Sequence, residues 1–169
     1  MKLTLALAGL ALSGFALAQK APAPTDFIGK TMPKFEMTAL DGTKVNNETL
    51  KGKAYILDFW ATWCGPCKKA APTMQELHAK YNESGLVVIG ANTFERAEGP
   101  DNAKKYKAEH GYGYLFTYGN DDFAKSLNIQ GIPTFFFVDK DGMVSDVIVG
   151  FTDQWKQKFM DAANKAMSN

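Results

Sequence analysis

Cys64 and Cys67 are the only cysteines in the 169-residue chain, and they stand three positions apart in Trp63-Cys64-Gly65-Pro66-Cys67. The run before them, Ile56-Leu57-Asp58-Phe59-Trp60, is apolar and strand-forming; the run after them carries Lys68 and Lys69 in a helical pattern. The spacing predicts a buried strand that delivers two cysteines to the first turn of a helix. Positions i and i+3 share a helix face, near enough to close a small disulfide. First-turn amides lack intrahelical partners and carry the positive end of the helix dipole, so a thiolate is favoured there. In Cys-X-X-Cys motifs at helix starts the thiol pKa falls from ~8.5 to roughly 3.5–7.5. The chemistry implied is thiol–disulfide exchange, with Cys64 as the exposed attacker and Cys67, one turn in, as the resolver.

Two plainer readings compete. A static staple is a weak one, because so short a loop constrains the unfolded chain very little. A zinc site lacks a second cysteine pair, and His78 and His110 are the only histidines. No metal and no cofactor are therefore expected. Cys67 must lose its proton to act as resolver, and a buried carboxylate could accept it. Asp58 interrupts the apolar strand six residues before Cys64, where burial would raise its pKa toward neutrality. A strand residue facing solvent is the alternative.

The segment Phe59-Trp60-Ala61-Thr62-Trp63-Cys64-Gly65-Pro66-Cys67 resembles the active-site segment of the thioredoxin superfamily. Its Ala-Thr-Trp lead-in is most similar to the exported TlpA/ResA-like branch. Pro72 falls where thioredoxins carry a helix-kinking proline, and Gly131-Ile132-Pro133-Thr134 resembles their cis-proline loop. The similarity runs from about Thr31 to the C-terminus. It implies a cis Ile132-Pro133 bond, with the Ile132 backbone turned toward the dithiol to pair with an extended partner segment. Trp63, Gly65, Pro66, Ile132 and Pro133 are then the partner-binding residues. The resemblance also places Asp58 as the buried aspartate. Glu95, in Asn92-Thr93-Phe94-Glu95, resembles the active-site glutamate of the ResA-like branch, which commonly has Asn where Asp58 stands.

What the resemblance implies is an extracytoplasmic thiol-disulfide oxidoreductase of the protein-disulfide reductase type. Its Gly65-Pro66 dipeptide is that of reducing thioredoxins, nearer a potential of ~−270 mV than ~−120 mV. Exported disulfide-containing proteins are the implied substrates, apocytochrome c among them. A membrane donor of the CcdA/DsbD type is the implied electron source, and a monomer is expected. Two rival readings are a thiol peroxidase, which needs a Pro-x-x-x-Thr-x-x-Cys segment with a supporting Arg, and Sco-type copper delivery, which uses a longer cysteine spacing plus a His.

The rest of the chain must position this centre. At 46% apolar and 22% charged residues, with a net charge of +1, it can bury a core and carries no basic excess for nucleic acid. Met1 to Ala18 reads as a signal peptide, with Lys2, an apolar run and an Ala16-Leu17-Ala18 cleavage site. A retained membrane tether is its alternative. Residues 19–30 read as an extended Pro/Ala linker, and residues 31–169 as a single thioredoxin-like domain. An N-terminal β-hairpin turns at Asp41-Gly42, and strands are expected at Ala54 to Phe59 and Leu86 to Ala91. Thr93 to Pro100 reads as a loop and Asp101 to His110 as a helix. Alternation from Tyr112 to Tyr118 reads as a strand or its lead-in, and Asp121 to Asn128 as a short helix. A hairpin, Thr134–Val138 with Met143–Val149, precedes a last helix capped by Thr152. The fold class is thus α/β: a thioredoxin fold with a mixed central sheet flanked by helices, a hairpin extension and an insertion before the cis-proline strand.

Overall fold

The computed structural model describes residues 22–168. The expected signal segment and the first residues of the expected linker lie outside that range. Seven strands, β1 (Glu36–Ala39), β2 (Lys44–Asn46), β3 (Tyr55–Trp60), β4 (Val87–Asn92), β5 (Leu115–Tyr118), β6 (Thr134–Val138) and β7 (Val144–Val149), form one sheet in the order β2-β1-β5-β4-β3-β6-β7. Strand β4 runs parallel to both β3 and β5; every other pairing is antiparallel. The helices are α1 (Gly65–Tyr81), α2 (Asp101–His110), α3 (Asp121–Ser126) and α4 (Lys156–Ser168). This is the mixed α/β fold expected, hairpin extension included.

Every residue of β3 is buried, because β4 and β6 flank it and apolar layers cover both faces. Side chains alternate across a strand. Ile56 and Trp60 join the layer beneath α1, α2 and α4, while Tyr55, Leu57 and Phe59 join the layer packed by α3 and the segment through Met32 and Phe35. Asp58 is in phase with Ile56 and Trp60 and so faces the α1 layer. The two layers remove the apolar length of β3 from water, roughly 1.5–3 kcal/mol for each large side chain.

Three local expectations need correction, and a fourth is made definite. Pro24–Phe27, within the expected linker, forms a short 3-10 helix. Beyond it, Gly29 N–H donates to Val144 O, Val144 N–H donates to Lys30 O, and the Phe27 ring meets Phe136 edge-on. That segment covers an open edge of β7, which the Pro/Ala composition could not reveal. The aromatic alternation from Tyr112, read as a strand or its lead-in, is both: Tyr112 and Tyr114 pack among rings of α2 and β5 as the lead-in, and Leu115–Tyr118 forms the strand. The short helix stops at Ser126 and not Asn128, which takes a left-handed φ of 52°. Thr152 makes no side-chain cap; its extended backbone leads into a 3-10 turn at Asp153–Trp155, and α4 begins at Lys156.

Candidate active site

The dithiol segment sits where β3 ends and α1 begins. Cys64 is the N-cap of α1, with extended backbone, and Pro66 occupies the first turn, where a missing N–H removes no helical bond. Cys64 and Cys67 are joined as a disulfide. The Cys67 N–H points at Cys64 Sγ across 3.2 Å. After reduction this orphan amide, with the helix dipole behind it, stabilises a thiolate on Cys64 rather than on Cys67.

Cys64 is not the exposed thiol expected. It is 3% exposed and Cys67 2%, while Gly65 and Pro66 beside them are open to solvent and Trp63 is 43% exposed. The physical reason is the direction of the sulfur, which turns inward to lie 3.6 Å from Ile132 O. The Ile132-Pro133 peptide is cis, and Pro133 is buried at the start of β6. Gly131 O accepts from Thr134 Oγ1, and Gly150 N–H donates to Pro133 O. The loop is thereby held on both sides of the proline.

The two acids stand in different surroundings. Asp58 is 2% exposed, and its Oδ1 has no hydrogen-bond partner. Burial pushes its carboxyl up to about 8. Its neighbours across the ladder are Gly90 and Phe135. Trp60 Nε1, in phase with it on the same strand, is a second buried orphan. A Cβ on Gly90 would stand 3.1 Å from that nitrogen and 3.2 Å from the Tyr114 ring, so glycine leaves the indole its room. Asp58 is thus a proton-holding group in the layer that contains Cys67.

Glu95 lies on the loop after β4. Partial burial raises its pKa, but hydrogen bonds from Thr62 N–H, Asn92 Nδ2, Thr62 Oγ1 and Arg96 N–H outweigh this and hold it below the usual carboxylate range. It is therefore an anion that grips Thr62, two residues before Cys64. Trp63 is gripped as well: its Nε1 donates to Phe94 O at 2.8 Å, and the Arg96 guanidinium lies 5.4 Å above its ring. Beside this loop opens a cavity of about 530 Å³ lined by Asn92, Glu95, Arg96, Glu98, Tyr118 and Asp121.

The structure therefore gathers Cys64, Cys67, Trp63, Gly65, Pro66, Ile132 and Pro133 at one end of the sheet, with Asp58 below and Glu95 to one side. The sequence reading missed Thr62, Asn92, Phe94, Arg96 and Asp121, which build the wall beside Trp63. Its one available signal was the density of polar groups from Asn92 to Arg96 next to a strand end.

The chain matches the Redoxin family over residues 27–164. It is 40% identical over 126 residues to the thiol-disulfide oxidoreductase ResA of Bacillus thuringiensis (strain Al Hakam), covering 73% of this chain and 70% of that protein. Among solved structures, a thiol:disulfide interchange protein of the thioredoxin family from Chlorobium tepidum TLS is 31% identical with a TM-score of 0.70, over 89% of this chain and 99% of that one. A secreted thiol-disulfide isomerase from Corynebacterium glutamicum, 22% identical, shares the fold with a TM-score of 0.71, over 82% and 86% of the two chains.

Proposed function

The chain belongs to the Redoxin family as a ResA-like thiol-disulfide oxidoreductase, and from that premise we propose that it reduces disulfides in exported proteins through Cys64 and Cys67. The observation that carries the reading is the Cys67 N–H on Cys64 Sγ at the N-terminus of α1, which favours the thiolate at Cys64. The Gly65-Pro66 dipeptide, which is that of reducing thioredoxins, supports the reductive direction.

The reduced centre works in two displacements. The Cys64 thiolate attacks one sulfur of the partner's disulfide; an S–S bond forms between the chains, and the partner's other sulfur leaves as a thiolate. Cys67, its proton passed to the ionised form of Asp58, then attacks Cys64 Sγ. The intramolecular disulfide forms, and the partner leaves with both sulfurs reduced. Two electrons have moved to the partner, and protons from the medium complete its thiols. Asp58 suits the second step because its carboxyl titrates near neutrality. The partner chain lies extended against Ile132, beside the cis proline, with Trp63 as an apolar flank. Substrates in the exported space, apocytochrome c among them, and a membrane donor of the CcdA/DsbD type complete the cycle. The reading of Met1 to Ala18 as a signal peptide supports a site of action outside the cytoplasm. No helix among the described residues is long and apolar enough to cross a membrane.

The test is reduction of insulin disulfides with dithiothreitol as electron source, together with the potential of the Cys64–Cys67 pair against glutathione. A reducing potential and catalysed precipitation of insulin are expected. A potential near that of strong oxidants would overturn the reductive assignment.

A further inference from the structure

Phe94 takes a left-handed φ of 53°. A bulky non-glycine residue in that region is a true outlier and persists only where its surroundings impose it. Two bonds impose it here. Asp121 Oδ1, at the first turn of α3, accepts from Phe94 N–H at 2.7 Å and from Thr93 Oγ1 at 3.2 Å. The turn so fixed aims three consecutive residues at the strand end before the dithiol. Phe94 O takes the Trp63 indole N–H, Glu95 takes both Thr62 donors, and Arg96 lies over the Trp63 ring.

We propose that Asp121 is a positioning residue for the Cys64–Cys67 centre, acting by holding Phe94 in the left-handed conformation that seats Trp63 and Thr62. The inference rests on the reading of that centre as the site of exchange. Asp121 touches neither sulfur; it acts from α3, 54 or more positions away in sequence from the cysteines, through one strained peptide unit. Its other place in the fold, at the start of α3, is a purely structural service that would leave Phe94 irrelevant.

The experiment is a double-mutant cycle between Asp121→Ala and Phe94→Gly in a Trp155→Phe background, so that Trp63 dominates iodide quenching of the fluorescence. With Phe94 present, Asp121→Ala should slow reduction of a peptide disulfide about tenfold and raise the quenching constant. In the Phe94→Gly background, where a left-handed φ carries little penalty, the same change should alter the rate by no more than about twofold. Asp121→Asn, which keeps the accepting oxygen, should stay within about threefold of its parent. An Asp121→Ala effect of the same size in both backgrounds, or no effect in either, overturns the proposal. An unmutated chain that fails to exchange disulfides would instead sink the functional reading, and the quenching cycle would still decide whether Asp121 seats Trp63.

Discussion

The Sγ of Cys64 lies 3.6 Å from the carbonyl oxygen of Ile132, in the loop that opens β6, the strand paired directly with β3. That carbonyl belongs to a backbone edge next to a cis proline, and an extended partner segment can pair with it while its disulfide meets the sulfur. On the function proposed above, the attacking atom and the docking backbone are neighbours, and the predictions concern how each part works.

Cys64→Ser should abolish reduction of insulin disulfides. Cys67→Ser should instead accumulate mixed disulfides with partners, because only Cys67 can release them. Both species are countable on non-reducing gels after acid quenching. Should Cys67 be the thiol alkylated first in the reduced protein, the two roles are reversed.

Pro133→Thr changes the backbone beside Ile132, the proposed docking edge, without touching either sulfur. Its partners should leave more slowly, by about tenfold in single-turnover kinetics, while the thermal midpoint moves little. Partner release at the unmutated rate would remove Pro133 from the docking surface.

Glu95 is an anion whose folded pKa lies below its ordinary value. A depressed carboxylate gives stability that is present above its unfolded pKa and lost as pH falls through the folded one. Glu95→Gln should therefore cost about 1 kcal/mol at neutral pH, through weaker bonds to Thr62, and progressively less as pH falls below the ordinary carboxylate range. Urea melts across that range read the difference. An equal loss at both ends would mean that shape, not charge, is what Glu95 supplies to Thr62.

How much of this was visible in the sequence depends on the range of the interaction involved. Cys64, Cys67 and the strand–helix junction are local patterns, and Asp58 stands out because a carboxylate breaks an apolar run. Cys64 burial was not visible, because it depends on Ile132, 68 positions on. The wall of Phe94, Arg96 and Asp121 escaped for the same reason, and also because phenylalanine seldom takes a left-handed φ. Residues 24–30 read as linker from composition, yet their backbone pairs with Val144, a contact that no local preference encodes.

The last prediction concerns Asp58, whose carboxyl is pushed up to about 8 by burial. Between its ordinary pKa of 3.8 and that value, the folded chain keeps a proton that the unfolded chain has released. Stability must then fall as pH rises through that window and level off above it. Asp58→Asn removes the titration while keeping the shape, so its stability should not show this decline. The variant should be more stable than the parent by roughly 5 kcal/mol at pH 8, and nearly equal to it at pH 4. Asparagine cannot accept the Cys67 proton, so resolution of mixed disulfides should fall furthest below the parent near pH 8, where the parent's carboxyl has begun to ionise. The deficit should shrink at higher pH, where hydroxide substitutes for the carboxylate. Rapid-quench kinetics of the Cys64 mixed disulfide against pH measure this. A variant that gains the stability but resolves at the parent's rate would make Asp58 a passive buried acid. The proton of Cys67 would then have to leave by another route.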